Sequence, residues 1–512
     1  MSPSSLALCL CATLLGGCSS LPPLQGRTTS RALLLSEARA TALGKALSPS
    51  ADAHPGRSGI HPLSDPRDAF AARALLARLA ERTLDVQYYI WHDDITGSLL
   101  LQALREAADR GVRVRLLLDD NGVAGLDPVL AALDAHSHVE VRLFNPFVVR
   151  RPKVLGYVTD FSRANRRMHN KSFTADNQAT IVGGRNVGDE YFGATDGVLF
   201  ADLDVLTTGA VVQAVSEDFD RYWASNSAYP VDRLLPAATP ASLEKLRRKC
   251  RELEDDPAAQ GYLQALRDTG FQQALLRGEL VLLWARTRMV SDDPAKGLGQ
   301  AGEEGLLSHR LREVLGTPVR RVALVSPYFV PGEEGTEAFV QLAERGVALR
   351  ILTNSLEATD VAAVHSGYAK RRKALLEAGV VLYELRRQPL PARPWDAAPL
   401  GNSGASLHAK TFAVDGERVF VGSFNFDPRS ARLNTELGFV IESPTLARAV
   451  EKAFEGRIPA GAYEVRLDEE GDLYWLERRV RGTVRHDTEP NTGFLQRAGI
   501  RLLELLPIEG LL

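Results

Sequence analysis

An internal duplication is the feature that most constrains how this chain can fold. Two segments carry the same polar residues, His169, Lys171, Asp176 and Asn186 in the first copy and His408, Lys410, Asp415 and Asn425 in the second. In both copies Lys follows His by two residues, Asp follows Lys by five, and Asn follows Asp by ten. Every member recurs 239 positions later, so the chain is predicted to fold as two similar domains.

The segments before each copy have the order of elements that builds α/β domains. Residues 84–91 and 112–118 have the pattern of strands, and the segment between them at 97–110 has helical spacing. The strand pattern returns at 322–330 and 348–352. Each half is therefore predicted to be an α/β domain with a mixed, mostly parallel sheet flanked by helices.

Composition agrees with a folded protein of two domains. Of the 512 residues 45% are hydrophobic and 24% are charged, which excludes a disordered protein and a polytopic membrane protein. We predict a signal peptide at 1–17, a tether at 18–61, a first domain at 62–225, a helical connection at 226–278, a second domain at 279–470 and a C-terminal segment at 471–512.

The N-terminus predicts export and lipidation. Residues 1–17 include an apolar run too short to span a membrane, and Leu15-Gly16-Gly17-Cys18 resembles a bacterial lipobox. Cys18 would then carry lipid and anchor the protein in the cell envelope, facing the periplasm, and Ser19 and Ser20 favour the outer membrane. Because no Lys or Arg precedes the apolar run, a merely cleaved or buried segment is the alternative.

Two His, two Lys and two Asn in matched positions suit the chemistry of phosphate esters. Ammonium and amide groups can hold the oxygens of a tetrahedral phosphorus as charge moves in the transition state. One imidazole can attack phosphorus while the other protonates the leaving alcohol. A metal site is the rival, but two Lys repel a divalent cation and neither His has a further ligand at suitable spacing. No metal and no other cofactor is expected.

The repeated His-x-Lys-x4-Asp and Gly-x-x-Asn segments resemble the phospholipase D superfamily over about residues 62–470. The segments SPYFVPG and GSFNFDPRS are similar to bacterial cardiolipin synthases, in particular to the type designated C. The resemblance implies two phospholipase D-like domains with an active site at their pseudo-twofold interface. It also implies a covalent phosphohistidine intermediate and no required metal.

The same resemblance implies a role for each matched residue. His169 and His408 act as nucleophile and acid/base, and we assign the nucleophile to His169, although the pseudosymmetry permits either assignment. An acidic residue downstream of each motif orients its His, and Asp202 and Glu436 occupy the matching places. Phosphate is bound by the matched Lys and Asn pairs, Lys171 with Lys410 and Asn186 with Asn425.

Asp176 and Asp415 are grouped with the catalytic residues because they belong to the motif, but a structural role is the stronger interpretation. Each lies where a turn is expected, and a carboxylate at a turn commonly accepts hydrogen bonds from backbone N–H groups. Gly184 and Ser423 break the symmetry of the repeat, which we attribute to local packing, with a substrate contact from Ser423 as the alternative.

Contact with a membrane is predicted at two places. Six cationic residues precede the first motif and form either a solvated surface or a site for anionic headgroups: Arg150, Arg151, Lys153, Arg163, Arg166 and Arg167. Near the C-terminus five apolar residues share one helical face, which either docks on the protein core or lies in the membrane interface: Leu495, Ala498, Leu502, Leu505 and Leu506.

We therefore predict a membrane-anchored transphosphatidylase that makes cardiolipin. Phosphatidylglycerol is the expected acceptor, and phosphatidylethanolamine or phosphatidylglycerol the expected donor. The alternatives are a phospholipase D that hydrolyses phospholipids to phosphatidic acid, a phosphodiester nuclease and a lipid-binding envelope protein without catalysis. A net charge of −3 argues against nucleic acid, because duplex DNA is usually bound by a clearly basic surface. The sequence does not indicate a protein partner.

Overall fold

The computed structural model describes residues 20–195, 199–267, 273–274, 277, 279–389 and 404–512. Within them the chain forms two α/β halves, with the first half ending at Arg267 and the second beginning at Leu283. The predicted signal peptide and Cys18 lie outside the described residues. Every helix in the described part is too short or too polar to cross a membrane.

The secondary structure alternates between strands and helices in both halves. The strands of the first half are β1 (Ser58–Leu63), β2 (Thr83–Ile90), β3 (Arg113–Gly122), β4 (Val139–Phe144), β5 (Ser172–Ala175), β6 (Ala179–Gly183), β7 (Leu199–Ala201), β8 (Asp204–Gly209) and β9 (Ala228–Pro230). Those of the second half are β10 (Leu283–Ser291), β11 (Arg321–Val325), β12 (Ala348–Asn354), β13 (Val381–Leu385), β14 (Gln388–Pro389), β15 (Gly404–Leu407), β16 (Lys410–Val414), β17 (Arg418–Gly422), β18 (Leu437–Glu442), β19 (Ala462–Leu467), β20 (Leu473–Arg479) and β21 (Gly482–His486).

The helices lie between these strands and beyond the last of them. Those of the first half are α1 (Leu35–Ala40), α2 (Ala42–Asp52), α3 (Pro66–Leu79), α4 (Ile95–Asp109), α5 (Asp127–Asp134), α6 (Leu155–Thr159), α7 (Phe161–Ala164), α8 (Asp189–Phe192), α9 (Ala210–Trp223), α10 (Pro240–Asp255) and α11 (Pro257–Arg267). Those of the second half are α12 (Leu307–Leu315), α13 (Gly332–Glu344), α14 (Ala362–Ala369), α15 (Arg372–Glu377), α16 (Pro428–Arg432), α17 (Pro444–Ala453), α18 (Arg457–Gly461) and α19 (Phe494–Glu504).

Local sequence explains where the helices begin. The side chain of Asp65 accepts hydrogen bonds from the N–H groups of Arg67 and Asp68 at the start of α3. Asp94 caps α4 in the same way through the N–H of Gly97. These caps satisfy backbone donors that have no partner inside the helix, so they fix the residue at which each helix begins.

Within the central sheet of each half, parallel pairing is confined to three strands. β2, β3 and β4 pair in parallel in the first half, as do β11, β12 and β13 in the second. The hairpins β5–β6 and β16–β17 join the sheets in antiparallel orientation. The α/β class and the duplication are confirmed, but the sheets are less parallel than predicted, because each motif hairpin pairs with a parallel strand of its own half.

The two halves are joined by backbone pairing and by a shared core. β1 pairs with β8 of the first half along its length, and residues 58–60 also pair with β10 of the second half. One apolar cluster contains residues of both halves, among them Ile60, Val182, Leu352 and Leu437. Since strand pairing and apolar burial both cross the junction, the halves pack as one unit and hold their motif hairpins together.

The segment predicted to be a tether is folded against the first half. Residues 35–52 contain α1 and α2, in which Ala38 and Leu43 are buried, and β1 lies in the joined sheets. The side chain of Arg27 donates to the carbonyl of Ser225. The prediction was wrong because two short helices need only a few buried residues, which leave no sustained apolar period in the sequence. The segment 226–278 contains the helices α10 and α11.

Candidate active site

A β-hairpin positions the residues of each motif. β5 and β6 turn at Asp176 and Asn177, β16 and β17 turn at Asp415 and Gly416, and all four turn residues have positive φ. Asn, Asp and Gly tolerate this conformation better than other residues, so the local sequence specifies the hairpins. Each His lies just before its hairpin, at the junction of the two halves.

Each motif His is hydrogen-bonded to the acidic residue of the other half. Nδ1 of His169 lies 2.8 Å from Oε2 of Glu436, and Nδ1 of His408 lies 2.6 Å from Oδ2 of Asp202. All four side chains are buried. The sequence indicated both acids but paired each with the His of its own motif. The structure corrects that pairing, because the halves exchange these partners.

Backbone contacts between the halves explain the exchange. The N–H of His169 donates to the carbonyl of Thr435, the residue before its acid. On the other side β7 pairs in parallel with β15, and the N–H of His408 donates to the carbonyl of Ala201, again the residue before the acid. Each carboxylate is therefore brought to the opposite His by hydrogen bonds that run between the halves.

The two acids differ in charge. Burial raises the pKa of Glu436 to about 7, although the nearby Lys171 opposes the shift. Burial acts on Asp202 in the same direction, but the attraction of His408 and Lys410 outweighs it and holds the pKa of Asp202 well below its ordinary range. Near neutral pH Asp202 is therefore ionised, while Glu436 is divided between its charged and neutral forms.

Burial lowers the pKa of the four basic side chains of the motifs. The pKa of His169 lies well below its usual value through burial and repulsion by Lys171. The pKa of His408 is also lowered by burial and by Lys410, while Asp202 favours its imidazolium form. Burial lowers the pKa of Lys171 to about 7 and that of Lys410 to about 8. An anion bound between these groups would stabilise their charged forms.

Each Lys lies beside its own His. Nζ of Lys171 donates to the carbonyl oxygen of His169 at 2.6 Å, and Nζ of Lys410 donates to that of His408 at 2.5 Å. Nζ of Lys410 also lies 3.0 and 3.1 Å from the two ring nitrogens of His408. A Lys ammonium has three donors, so both side chains keep N–H groups that can reach a ligand.

The two Asn side chains differ in what they already bind. Oδ1 of Asn186 accepts from the N–H of Ile90, and its Nδ2 donates to the hydroxyl of Tyr191. Oδ1 of Asn425 is buried and has no hydrogen-bond partner among the described residues. The side chain of Asn186 is thus held by two hydrogen bonds within the protein and keeps one free N–H. The side chain of Asn425 has fewer such bonds, because its oxygen has no partner among the described residues.

Gly184 and Ser423 differ because the two acids differ in length. A Cβ at Gly184 would lie 2.2 Å from Oδ1 of Asp202, so only glycine leaves room for this carboxylate. Oγ of Ser423 donates to Oε2 of Glu436 at 2.5 Å and accepts from the N–H of Leu437. Local packing therefore accounts for the mismatch, as predicted, and the hydroxyl of Ser423 is engaged by an acid of the site.

The Asp residues of the motifs are engaged by backbone rather than by the His side chains. Asp176 accepts hydrogen bonds from the N–H groups of residues 81–83, and Asp415 accepts them from residues 319–321. These bonds tie each hairpin turn to the segment that enters β2 or β11. Their grouping with the catalytic residues is therefore corrected to a structural role, because each carboxylate binds backbone N–H groups at the turn, the end of the hairpin away from its His.

Aromatic rings that the sequence analysis did not single out line the site. The ring of Tyr89 packs edge-on against that of His169 at 5.1 Å. Tyr191 and Phe200 pack against His408 at 5.2 and 5.1 Å. Alternation along β2 was the available signal, since successive side chains of a strand point to opposite faces and one of the two adjacent tyrosines had to face away from the core.

Most of the cationic residues before the first motif are paired within the protein. Arg150 and Lys153 both bind the buried Asp120, and the buried Arg167 contacts Asp119. Of the six residues, Arg151 is the exposed one. The segment is therefore neither a solvated run nor an open site for headgroups, because its charges hold it against the end of β3.

Two other polar groups lie apart from the paired His residues. His365 is buried and faces Glu489 at 3.1 Å. Among the described residues, His92, Asp94 and Glu190 are the one group of potential ligands close enough to hold a metal ion. The paired His residues contribute nothing to that group, and its Asp already caps α4.

Comparisons with known proteins agree with the duplicated fold. The family described as "Cardiolipin synthase, PLD-like domain" matches residues 75–223 and 311–458. "Cardiolipin synthase C" of Escherichia coli (strain K12) is 50% identical over 471 residues, which cover 92% of this chain and 99% of that protein. An uncharacterized protein of Helicobacter pylori is 31% identical and covers 89% of both chains. The crystal structure of phosphatidylserine synthase from Haemophilus influenzae Rd KW20 shares the fold, with a TM-score of 0.57 at 14% identity over 91% of this chain and 100% of that one.

Proposed function

Because the chain belongs to the cardiolipin synthase family with phospholipase D-like domains, we propose that it is a transphosphatidylase that makes cardiolipin. It transfers a phosphatidyl group from one phospholipid to a hydroxyl of phosphatidylglycerol. The observation that carries the proposal is the buried pair of His residues, each held through Nδ1 by a carboxylate of the other half. A carboxylate in this position fixes the tautomer that leaves Nε2 free to act.

His169 is the proposed nucleophile and His408 the proposed acid. A nucleophilic imidazole must be neutral, and the pKa of His169 lies well below its usual value because of burial and repulsion by Lys171. An acid must be protonated. Burial and Lys410 lower the pKa of His408 too, but the ionised Asp202 at 2.6 Å opposes this shift and favours the imidazolium form. The different charges of the two acids thus support different roles for the two His residues.

The reaction proceeds in two displacements at phosphorus. Nε2 of His169 forms a bond to phosphorus while the bond to the headgroup oxygen breaks, and Nε2 of His408 gives its proton to that oxygen. The released alcohol leaves, and the phosphatidyl group remains on His169. The hydroxyl of the acceptor then gives its proton to His408 and attacks phosphorus, which breaks the phosphorus–nitrogen bond. Both residues return to their starting forms.

The Lys and Asn pairs are proposed to hold the non-bridging oxygens through both steps. The ammonium groups of Lys171 and Lys410 lie beside the two His residues and keep free donors. In a buried site such donors favour the transition state, where negative charge on these oxygens is greatest. The buried amides of Asn186, which keeps one N–H, and of Asn425, whose oxygen has no partner among the described residues, complete this set. No metal or cofactor is required by this mechanism.

Phosphatidylglycerol and phosphatidylethanolamine are the proposed donors, and the proposed location is the bacterial cell envelope. Lipidation of Cys18 would place the protein on a membrane that faces the periplasm. Arg27 is already bound to the first half, so the intervening chain would span at most about 30 Å. Mass analysis of the mature N-terminus tests this point, because a Cys18→Ser chain would lack the lipid.

Lipid products distinguish this proposal from its alternatives. The purified protein is incubated with vesicles of phosphatidylglycerol and phosphatidylethanolamine in the presence of a chelator, and the products are identified by mass spectrometry. Cardiolipin is the expected product, and a headgroup label on each donor identifies the alcohol released. Phosphatidic acid alone would make the protein a hydrolase. Turnover that survives the His169→Ala, His408→Ala double substitution would contradict the catalytic assignment.

A further inference from the structure

The last α-helix of the protein docks with the side that carries Ile500 and Glu504 and leaves a broad apolar arc exposed. In α19 and the residue after it, the exposed side chains include Phe494, Leu495, Leu502 and Leu505, of which Leu495 is 83% exposed. At 100° per residue these positions fall within one arc of about 100°. Ile500 lies on the opposite side and is buried. Docking of the apolar face on the protein core, one of the two predicted alternatives, is therefore wrong.

Polar contacts account for this orientation. Glu504 faces the buried network in which Arg372 and His365 both bind Glu489. The side chain of Gln496 donates to the carbonyl of Leu356 at 3.4 Å. The helix is thus held from the side that carries Ile500 and Glu504, and among the described residues the side chains of its apolar arc remain exposed to water.

A second exposed apolar surface lies on α6 and α7. Val154, Leu155, Val158 and Phe161 are all exposed, and Val158 is 82% exposed. The exposed Arg151 belongs to the same segment, as Arg501 belongs to α19. Together these two groups account for more than half of the large exposed hydrophobic side chains in the described part. Clustering of this kind marks an interaction site, whereas scattered apolar residues are ordinary.

Both surfaces are connected to the candidate active site. Tyr157 of α6 donates to the side chain of Asn121, which in turn lies 3.5 Å from the hydroxyl of Tyr89, the ring that packs on His169. On the other side, Leu356, which α19 contacts, begins a loop that leads to Asp360, where the hydroxyl of Tyr328 is bound. Tyr328 is close enough to interact electrostatically with both Tyr89 and Tyr191.

Arg429 contacts both of the segments that follow the two surfaces. The side chain of Arg429 donates to Asn165, which follows α7, and its N–H donates to the carbonyl of Leu512 at the end of the chain. We propose that α6–α7 and α19 form a two-part docking surface that seats the protein on a phospholipid bilayer, with the active site opening toward the lipid between the two parts.

A bilayer fits both parts better than a protein partner does. An amphipathic helix with an apolar arc and a flanking cation suits the boundary between headgroups and acyl chains, and each Arg adds attraction to anionic lipid. The substrates of the proposed function, on which this inference rests, are themselves held in such a surface. Two separate apolar patches, each linked by side-chain contacts to one candidate active site, suit a flat lipid surface.

Environment-sensitive fluorophores test the docking surface directly. Single cysteines replace Leu502, Val158 and, as the matched control, the fully exposed Val480 in the turn after β20, each in a chain with Cys250→Ser. On vesicles of phosphatidylglycerol and phosphatidylethanolamine, labels at the first two positions should shift to shorter emission wavelengths and be quenched by lipid-borne quenchers. The label at 480 should do neither, and the Cys250→Ser parent supplies the background.

Charged substitutions test whether the surface serves catalysis. Val158→Asp and Leu502→Asp should each lower turnover of vesicle lipid about tenfold or more, because a carboxylate disfavours insertion into the interface. Turnover of a short-chain phospholipid dissolved as monomers should stay within about twofold, since the substitutions do not touch the site. Val480→Asp should change neither rate.

Two results would overturn the docking surface while leaving the proposed function intact. One is that both labels stay in water on vesicles that the protein converts to cardiolipin. The other is that they become buried without vesicles as protein concentration rises, which would assign the surface to contacts between copies of the chain. Failure to convert either lipid would instead contradict the proposed function, and the fluorescence would still decide whether the protein docks.

Discussion

The two half-sites hold the same His and Lys but differ in the groups behind them. The His169 half-site has Glu436, whose pKa burial raises to about 7, and a Ser hydroxyl that donates to this acid. The His408 half-site has the ionised Asp202 packed against Gly184. The two motifs are therefore related by pseudosymmetry in sequence and position but not in the charge of their acids. Two chemically identical His side chains can thus take different catalytic roles because their partners differ.

Removal of either His should have the largest effect on activity and should show which His is the nucleophile. His169→Ala and His408→Ala should both lower cardiolipin formation by about 10³-fold or more, because each removes an essential group. Only His408→Ala should form a covalent phosphatidyl adduct with a donor whose leaving group is a nitrophenol, since such a group leaves without a proton. Mass spectrometry of protein quenched in alkali checks this. An adduct in the His169→Ala chain would reverse the two roles.

Neutralising the acids should give unequal losses. Asp202→Asn should lower kcat about 10³-fold, because His408 loses the full charge that favours its imidazolium form. Glu436→Gln should cost about 10²-fold or less, since Glu436 is partly neutral at pH 7 and Gln keeps an acceptor for His169. Initial rates on vesicles measure both, with unfolding temperatures as the control. Equal losses would mean that the charge difference has no role in the reaction.

Substitution of Gly184 and Ser423, the small residues beside the two acids, should lower kcat to different extents. Gly184→Ser should lower kcat about 10²-fold, because the new Cβ would lie 2.2 Å from Oδ1 of Asp202 and push this acid from His408. Ser423→Gly should cost only about fivefold, since Glu436 loses one donor and stays in reach of its His. Activity per folded molecule is the measurement, and a harmless Gly184→Ser change would contradict the packing explanation.

The smallest expected effect is a shift in the dependence of activity on pH. Activity should fall below about pH 7 as Glu436 gains a proton and no longer favours the Nδ1–H tautomer of His169. It should fall again above about pH 7 to 8, as Lys171 and then Lys410 lose their charge. Ser423→Ala removes a donor that favours the ionised acid, so the acidic limb should move up by about half a pH unit. An acidic limb unchanged by Ser423→Ala would assign that limb to another group.

The repeat predicted much of the site because its spacing is local. A single hairpin positions the His, the Lys two residues later and the Asp at the turn. Their proximity could therefore be predicted from spacing within one hairpin. The exchange of Asp202 and Glu436 could not be predicted in this way. It depends on which backbone lies beside which across the junction, and no periodicity within either half records that.

The orientation of the apolar face of α19 could not be predicted from the sequence either. Periodicity identified the apolar arc of α19, but the sequence cannot say whether the arc points inward, because that depends on whether Glu504 and Gln496 find partners on the protein. The cationic run before the first motif shows the reverse case. The simplest interpretation placed its charges in solvent, yet Asp119 and Asp120 at the end of β3 bind three of the six residues.

The exchange of acids between the halves also constrains how the two motif copies can change over generations. In a symmetric pair of identical subunits one codon would specify both acids, and one codon would specify both small residues beside them. Fusion into a single chain separates these codons, so Asp202 with Gly184 and Glu436 with Ser423 can be selected as distinct pairs. Each pair must still serve the His encoded in the other half, and therefore neither half can be replaced by a second copy of its neighbour without losing the asymmetry.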